Sequence, residues 1–266
     1  MKVTDPKVVL HSSPDLARAW AKALGSLTER GVKEISPLIV NITGFEDGFP
    51  TEDPTIRSEV DHALEEAKAA KPTLCSIDTT ANLIFPESLW LRYQAEGRDT
   101  FFAKYLKLVK RLEKRDRRNH KGTYFSRMLG KHQLQHVLDT WDQGTHRRSA
   151  LQIAIFDPEK DHTKQPFLGF PCLDYVAFTP RSDSKTLSVT ALYADQWIFD
   201  RGYGNYVGLC RLGRFVAQQM GLRFAQLTCI ASCAQLGEAI GKEAARALAN
   251  RFGGSQKEEA SDAIHA

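Results

Sequence analysis

Three strand-like segments that follow one another closely place the tightest constraint on how this chain folds. The segments SALQIAIF (149–156), CLDYVAFTP (172–180) and TLSVTALYAD (186–195) are rich in β-branched and aromatic residues. The PRSDSK between the last two is typical of a hairpin loop. An amphipathic helix at 205–221 and a strand at 223–232 are predicted to follow. Because helices are predicted before and between these strands, we expect an α+β fold rather than a doubly wound sheet.

The first half of the chain is predicted to be mainly helical around one strand, SPLIVNITGF (36–45). Helical spacing of apolar residues predicts helices at 14–25, 55–70, 99–118 and 130–141, and a last helix near the end of the chain at 236–251. Lysines and arginines cover one face of the helix at 99–118. That face is interpreted either as a solvated surface or as a surface for a protein partner.

Composition narrows the class of protein. The chain has 266 residues, a hydrophobic content of 42% and a net charge of +4, which allows an anionic ligand without requiring nucleic acid. No apolar run reaches the length of a membrane span. Five cysteines form an odd, sparse set that favours reduced thiols and a cytoplasmic location. We predict one domain over 1–252 with a basic helical insertion at about 99–121, and a disordered tail at 253–266.

Five motifs occur in an order that resembles a known enzyme superfamily. In chain order they are ISPLIVNITGFEDGFP, GTYFSRML, HRRSALQIAIFDP, PCL, and LSVTALY followed by GYGNYVGL. Together they resemble the thymidylate synthase and pyrimidine nucleotide hydroxymethylase superfamily over about residues 28–240. The resemblance implies a mixed central sheet packed with helices and a homodimer formed through a sheet face. It also implies transfer of a methyl or hydroxymethyl unit to C5 of a pyrimidine nucleotide, with 5,10-methylenetetrahydrofolate as cofactor.

The resemblance assigns three catalytic candidates. Cys172 falls on the nucleophile, whose thiolate attacks C6 of the pyrimidine and makes C5 nucleophilic. Taken without the resemblance, Cys172 is more typical of a core thiol. Tyr124 falls on the tyrosine of a Tyr-x-x-Arg element near the site, and Arg127 falls on its arginine. His62 falls where the family carries a catalytic glutamate. A helical slip would bring one of three neighbours there instead: Glu59, Asp61 or Glu65.

Binding roles are also carried over from the resemblance. Arg147 and Arg148 fall on an arginine pair that reaches the partner's phosphate site across the dimer, and Arg30 falls near an N-terminal phosphate arginine. Planar guanidinium groups suit this role. Asn205 falls on the residue that reads the pyrimidine edge, although an asparagine here could also cap the following helix. Trp90 is the candidate contact for the folate.

The chain departs from the family pattern at several substrate-binding positions. Ala194 stands where the family has a phosphate arginine, and Trp197 stands in place of a catalytic aspartate. Gln235 begins the segment that replaces a His-x-Tyr motif for the sugar. Asp195, Trp197 and Gln235 are therefore expected to reshape the substrate contacts, and Trp197 is either a stacking platform or a core residue. The C-terminal segment that closes over folate has no counterpart, and the altered contacts favour a specialised nucleotide or nucleoside pathway.

Two other hypotheses stay open. The chain could be a synthase-like scaffold that binds a nucleotide or partner protein as a sensor or assembly subunit, with the basic helix as its partner surface. Alternatively, Cys172 could react with a substrate other than a nucleotide. The spacings of Cys229 with Cys233 and of His132 with His136 fit no strong zinc motif, so no metal is expected.

Overall fold

The computed structural model describes residues 8–115, 122–144, 146–164 and 170–253. The predicted tail from residue 254 onwards and residues 116–121 of the predicted basic insertion lie outside the described residues. The strands are β1 (Val9–Ser13), β2 (Glu34–Ile35), β3 (Leu38–Ile42), β4 (Phe45–Glu46), β5 (Phe49–Pro50), β6 (Gln152–Ala154), β7 (Leu173–Arg181), β8 (Thr186–Trp197) and β9 (Arg223–Gln235). The helices are α1 (Leu16–Leu27), α2 (Pro54–Ala67), α3 (Ile77–Ile84), α4 (Glu87–Tyr93), α5 (Arg98–Arg115), α6 (Tyr124–Leu129), α7 (Gln133–Asp142), α8 (Pro158–Asp161), α9 (Tyr203–Gln219) and α10 (Lys242–Asn250).

The main sheet of the described residues is mixed and follows the order β1-β3-β9-β8-β7-β6, with β2 pairing to the end of β9. β7 and β8 form an antiparallel hairpin, whereas β8 and β9 run parallel. As a result, the start of β7 and the ends of β8 and β9 lie at the same edge of the sheet. Leu173 pairs with Tyr193 there, and Trp197 pairs with Gln235.

One face of the sheet carries the core. Along β8, the side chains of Val189, Ala191 and Tyr193 are completely buried, while the alternate residues are only half-buried. α1 and α9 pack against this buried face. The sequence supports the start of α1, because Asp15 caps this helix by accepting a hydrogen bond from the Arg18 backbone nitrogen at 2.8 Å.

Glycines set how closely α9 approaches its neighbours. A Cβ at Gly204 would lie 2.6 Å from Thr80, and a Cβ at Gly208 would lie 2.8 Å from the carbonyl oxygen of Ala81. A Cβ at Gly213 would lie 2.6 Å from the ring of Phe224 on β9. The small residues of α9 therefore allow its backbone to contact α3 on one side and the sheet on the other.

The structure confirms the predicted α+β class and the mixed sheet packed with helices. The predicted final helix is wrong at its start, because α10 begins at Lys242 rather than near 236. Residues 236–241 form a loop instead, and Gly237 within it adopts φ +108°, which helical backbone does not allow. Four short helices (α3, α4, α6 and α8), strand β1 and the two-residue strands β2, β4 and β5 were not predicted. Within the described residues, no helix combines the length and apolar character needed to cross a membrane.

Candidate functional site

Cys172 lies immediately before β7 at the sheet edge where β8 and β9 end. Its carbonyl oxygen accepts a hydrogen bond from the backbone nitrogen of Ala194 at 2.9 Å, which ties this residue to β8. The side chain is half-buried and packs against the core. The thiol is therefore held by regular sheet pairing rather than by a free loop.

The surroundings of Cys172 keep its thiol protonated. Burial raises the pKa of Cys172 to about 11, and the negative charges of Asp195 and Asp174 act in the same direction. The positive charge of Arg201 opposes them. Because the thiolate is the nucleophile, this cysteine becomes reactive only if a ligand or an added cation lowers the pKa of its thiol.

Tyr124, predicted to order the site, reaches the same position from α6. Thr123 caps this helix: its hydroxyl accepts a hydrogen bond from the Ser126 backbone nitrogen at 3.0 Å. Burial raises the pKa of Tyr124, while the backbone N–H groups of Cys172 and Leu173 partly offset that effect. The phenol group thus lies against the backbone that carries the candidate nucleophile.

The arginine of the Tyr-x-x-Arg element supports the segment before Cys172. Arg127 donates to both carboxylate oxygens of Asp161, at 2.5 and 3.0 Å, and Asp161 is itself buried. The Arg127 guanidinium also lies 4.9 Å from the centre of the Phe170 ring. Phe170 in turn packs on Tyr124 with ring centres 4.8 Å apart. Arg127 therefore fixes the entry to β7, because the bidentate pair with Asp161 holds its guanidinium in one orientation.

Three of the predicted substrate-binding residues gather at the ends of β8 and β9. The side-chain amide of Gln235 donates to the carboxylate of Asp195 at 3.4 Å. Burial raises the pKa of Asp195, and its charge acts on the Cys172 thiol. Trp197 is half-buried, and the Lys71 ammonium lies 4.5 Å from the centre of its indole ring. The structure therefore brings Asp195, Trp197 and Gln235 to the sheet edge that also carries Cys172.

A buried ion-pair cluster beside Trp197 was not found from the sequence. Asp200 is almost completely enclosed, and its carboxylate accepts a hydrogen bond from the Lys71 ammonium at 3.0 Å. Lys71 also pairs with Glu238 at 2.9 Å. The Asp200 carboxylate additionally accepts from the backbone nitrogens of Glu238 and Ala239 at 3.4 and 3.2 Å. Through Lys71, this cluster joins the turn that follows α2 to the loop after β9.

Arg201 is a second residue that sequence reasoning missed. It lies on a π-helical turn, Ile198–Gly202, between β8 and α9. Its charge acts on both Cys172 and Tyr124. Irregular helical turns of this kind are frequent at functional sites. The only sequence signal was a charged Asp-Arg pair before the small-residue helix.

Asn205 lies inside the first turn of α9 and is 5% exposed. The interpretation of Asn205 as the helix cap is wrong, because Gly202 occupies that position. Within the described chain, the Asn205 side chain has no hydrogen-bond partner. The side-chain amide of Asn205 therefore does not stabilise the start of α9 by a hydrogen bond.

The other predicted arginines lie on the surface. Arg30 is exposed in the turn after α1, and Arg147 and Arg148 are exposed where a single 3₁₀ turn begins. In the part of the chain that the structure describes, none of the three has an ion-pair partner. The structure does not bring them to Cys172 within this chain, and their proposed role across a dimer stays a prediction.

His62 and Trp90 are also separate from the Cys172 cluster. The His62 ring is exposed on α2 and lies 3.2 Å from the Glu66 carboxylate. Trp90 is 8% exposed, and its ring lies between Phe101 and Phe215 with ring centres at 5.4 and 4.9 Å. Neither contacts Cys172, Tyr124 or Arg201 among the described residues. Trp90 offers no free ring face to a folate.

A cavity of about 760 Å³ opens between α5, α6 and α8. Arg127 and Asp161 lie in its wall, and three lysines surround it: Lys110, Lys131 and Lys160. It borders the predicted basic insertion on the side of Lys110. Within the described ranges, no three His, Cys, Asp or Glu side chains come together to hold a metal ion.

The chain was compared with known proteins. No protein-family model matches it, and no curated protein matches it significantly. Its functional interpretation therefore depends on the residues gathered around Cys172.

Proposed function

We propose that this chain is a divergent thymidylate synthase-like enzyme that transfers a methyl or hydroxymethyl unit to C5 of a pyrimidine nucleotide, with Cys172 as nucleophile. The observation that carries the proposal is that the Tyr124 hydroxyl lies against the backbone of Cys172, while the charges of Asp195 and Arg201 both act on its thiol. These groups come from three separate segments, α6, the end of β8 and the turn before α9. A core thiol needs no such polar surroundings. The charge of Arg201 favours the thiolate that a nucleophile needs, whereas the charge of Asp195 opposes it.

The proposed reaction begins with addition of the Cys172 sulfur to C6 of the pyrimidine. In a uracil ring, a bond forms between sulfur and C6, and the electron pair of the C5–C6 double bond moves toward the C4 carbonyl oxygen. C5 then becomes nucleophilic and forms a bond to the one-carbon unit. Loss of the C5 hydrogen as a proton then restores the C5–C6 double bond and releases the Cys172 thiolate. Asn205, buried and without a side-chain partner in the described chain, would bind the pyrimidine edge.

5,10-Methylenetetrahydrofolate would supply the one-carbon unit in this proposal. Trp90, the residue predicted to contact it, does not fit that role because Phe101 and Phe215 cover its ring. Trp197 is half-buried, but Lys71 lies over one face of its indole. No step of the reaction is therefore assigned to the folate.

Tritium release tests the proposal. The protein is incubated with pyrimidine mononucleotides tritiated at C5, with and without 5,10-methylenetetrahydrofolate. We expect release of tritium to water that falls to background in Cys172→Ala. Cys75→Ala is the matched control, because Cys75 is also half-buried and its sulfur hydrogen-bonds only to the carbonyl oxygen of Thr73 among the described residues. Equal release by Cys172→Ala and the wild type would contradict the proposal.

A nucleotide-binding protein without catalysis is the second candidate. It is favoured by the protonated state of Cys172, whose pKa of about 11 leaves little thiolate at neutral pH. No tritium release from any nucleotide, together with unchanged nucleotide binding by Cys172→Ala, would support this alternative. The proposed specialised pathway and cytoplasmic location apply to either function.

The proposed homodimer would use the open face of the sheet. Strand pairing aligns five apolar side chains in one row across it, from β1 to β7: Leu10, Ile39, Ile230, Leu192 and Tyr175. Leu10 is 53% exposed and the other four are half-buried. A continuous apolar row on a sheet face is typical of a surface that a partner covers.

Light scattering tests this interface. We expect the wild type to have the mass of a dimer and Ile230→Arg to have half that mass, because an unpaired charge would be buried in the centre of the row. Leu91→Arg is the control, since Leu91 is 51% exposed on α4 and lies away from the sheet face. A monomeric wild type would remove the shared-site role of Arg147 and Arg148.

A further inference from the structure

Two buried polar atoms near Cys172 have no hydrogen-bond partner within the described chain. They are Nη1 of Arg201 and the hydroxyl oxygen of Tyr193. Tyr193 is completely buried, and its hydroxyl group is electrostatically coupled to Tyr124 and Cys172. Buried polar groups are nearly always paired in native proteins, so these two unpaired groups can each bind a ligand atom.

The Arg201 side chain has no ion-pair partner among the described residues, but the backbone around it is held in place. The turn that carries it is fixed on both sides. Trp20 donates to the carbonyl oxygen of Ile198 at 2.8 Å, and the Phe199 nitrogen donates to the carbonyl oxygen of Leu236 at 3.0 Å. The adjacent carboxylate, Asp200, is already bonded to Lys71 and to two backbone nitrogens. Arg201 is therefore a cation on a fixed turn, and its neighbouring acid is bonded to other groups.

We propose that Arg201, assisted by the Tyr193 hydroxyl, binds an anionic oxygen of the molecule that reacts at Cys172. Both groups donate hydrogen bonds, so the matching ligand group is an acceptor, and the positive charge of Arg201 favours one that is negative. This inference rests on the proposed function, because it assumes that Cys172 reacts with a ligand. The anionic oxygen belongs either to a phosphate or to the carbonyl oxygen that becomes negative when sulfur adds to C6.

Alkylation with two reagents of similar size tests the inference. Iodoacetate carries a carboxylate and iodoacetamide is neutral. In both reactions the Cys172 sulfur forms a bond to carbon while iodide leaves with the electron pair of the broken carbon–iodine bond. The ratio of the two rates at Cys172, measured by peptide mass spectrometry, reports recognition of the anion. The ionisation of the thiol cancels in that ratio, since both reagents consume the same thiolate.

We expect Arg201→Gln to lower the iodoacetate-to-iodoacetamide ratio about tenfold, as loss of a charge-assisted contact predicts. Arg201→Lys should retain part of the preference, and Tyr193→Phe should lower it by a smaller factor. Arg92→Gln is the control, because it removes the same charge from an exposed position on α4. A ratio that is unchanged in Arg201→Gln would overturn the inference, as would a wild-type Cys172 that reacts with neither reagent.

Protection experiments identify the source of the anionic oxygen. If Arg201 binds the phosphate, uridine monophosphate will protect Cys172 from iodoacetamide in the wild type and less so in Arg201→Gln, while uridine protection will not depend on Arg201. If Arg201 binds the ring oxygen, both ligands will lose protection equally in the variant. Protection by both ligands that is unaffected in Arg201→Gln would contradict the inference. The alkylation result does not depend on tritium release. A protein that shows the reagent preference without releasing tritium would therefore contradict only the proposed reaction.

Discussion

Gly208→Leu is expected to destabilise the protein by about 3 kcal/mol or more, lowering the melting temperature by roughly 10 °C. Even a single Cβ at this position would lie 2.8 Å from the carbonyl oxygen of Ala81 and 2.9 Å from the Cβ of Ile84. Both atoms belong to the rigid part of α3, so they cannot move aside as a flexible side chain would. The gain in helix propensity over glycine, about 0.8 kcal/mol, is too small to offset the clash.

Thermal unfolding followed by circular dichroism measures this effect, with Gly130→Ala as the control. Gly130 has a negative φ, and no heavy atom lies within 4 Å of its ideal Cβ. Its substitution should leave the melting temperature nearly unchanged. If Gly208→Leu melted at the wild-type temperature, α3 and α9 could not be packed as closely as described.

Lys71→Met is expected to cost about 3 kcal/mol of unfolding free energy, because it leaves the Asp200 carboxylate buried without its cation. The Asp200 side chain is 1% exposed, so water cannot replace the lost partner. Two backbone N–H groups still donate to Asp200 in the variant and limit the loss. Urea unfolding measures the difference.

The double variant Lys71→Met/Asp200→Asn removes the stranded charge and should regain most of the lost stability. Lys68→Met is the matched control, because Lys68 follows the same helix and pairs with Glu65, whose side chain is 70% exposed. Surface pairs of this kind contribute about 0–1 kcal/mol, so a small change is expected. Equal losses in Lys71→Met and Lys68→Met would show that the Asp200 pair does not stabilise the fold.

The strands that carry the candidate site could be predicted from the sequence because their composition is strongly β-forming. β7 and β8 begin and end within two residues of their predicted bounds. α3, α4 and α6 have only eight, seven and six residues, too few for a clear helical period. β1 reads VLHSS, and its polar half hides the strand, which pairs with only β3 in the main sheet.

Only part of the candidate site could be predicted from the sequence. Cys172 was singled out because it falls on the nucleophile in the family resemblance, and Asp195 and Gln235 because they lie in segments that depart from the family pattern. Lys71 and Asp200 are 129 residues apart, and only the fold shows that they pair. Arg201 could not be singled out, because an arginine in a polar turn is usually solvated, and its buried nitrogen is a property of the packed turn.

In the hairpin of β7 and β8, the connecting turn and the candidate site lie at opposite ends of the strands. The twelve residues of β8 span about 36 Å at the usual rise for a strand, so the turn at 182–185 lies at the opposite end of the sheet from Cys172. Residues added to that turn would lie far from the groups around the thiol, while the buried side chains of β7 and β8 hold the register that pairs Leu173 with Tyr193. The turn is therefore a natural attachment point for an affinity tag or fluorophore, one that would report on the molecule without disturbing its candidate site.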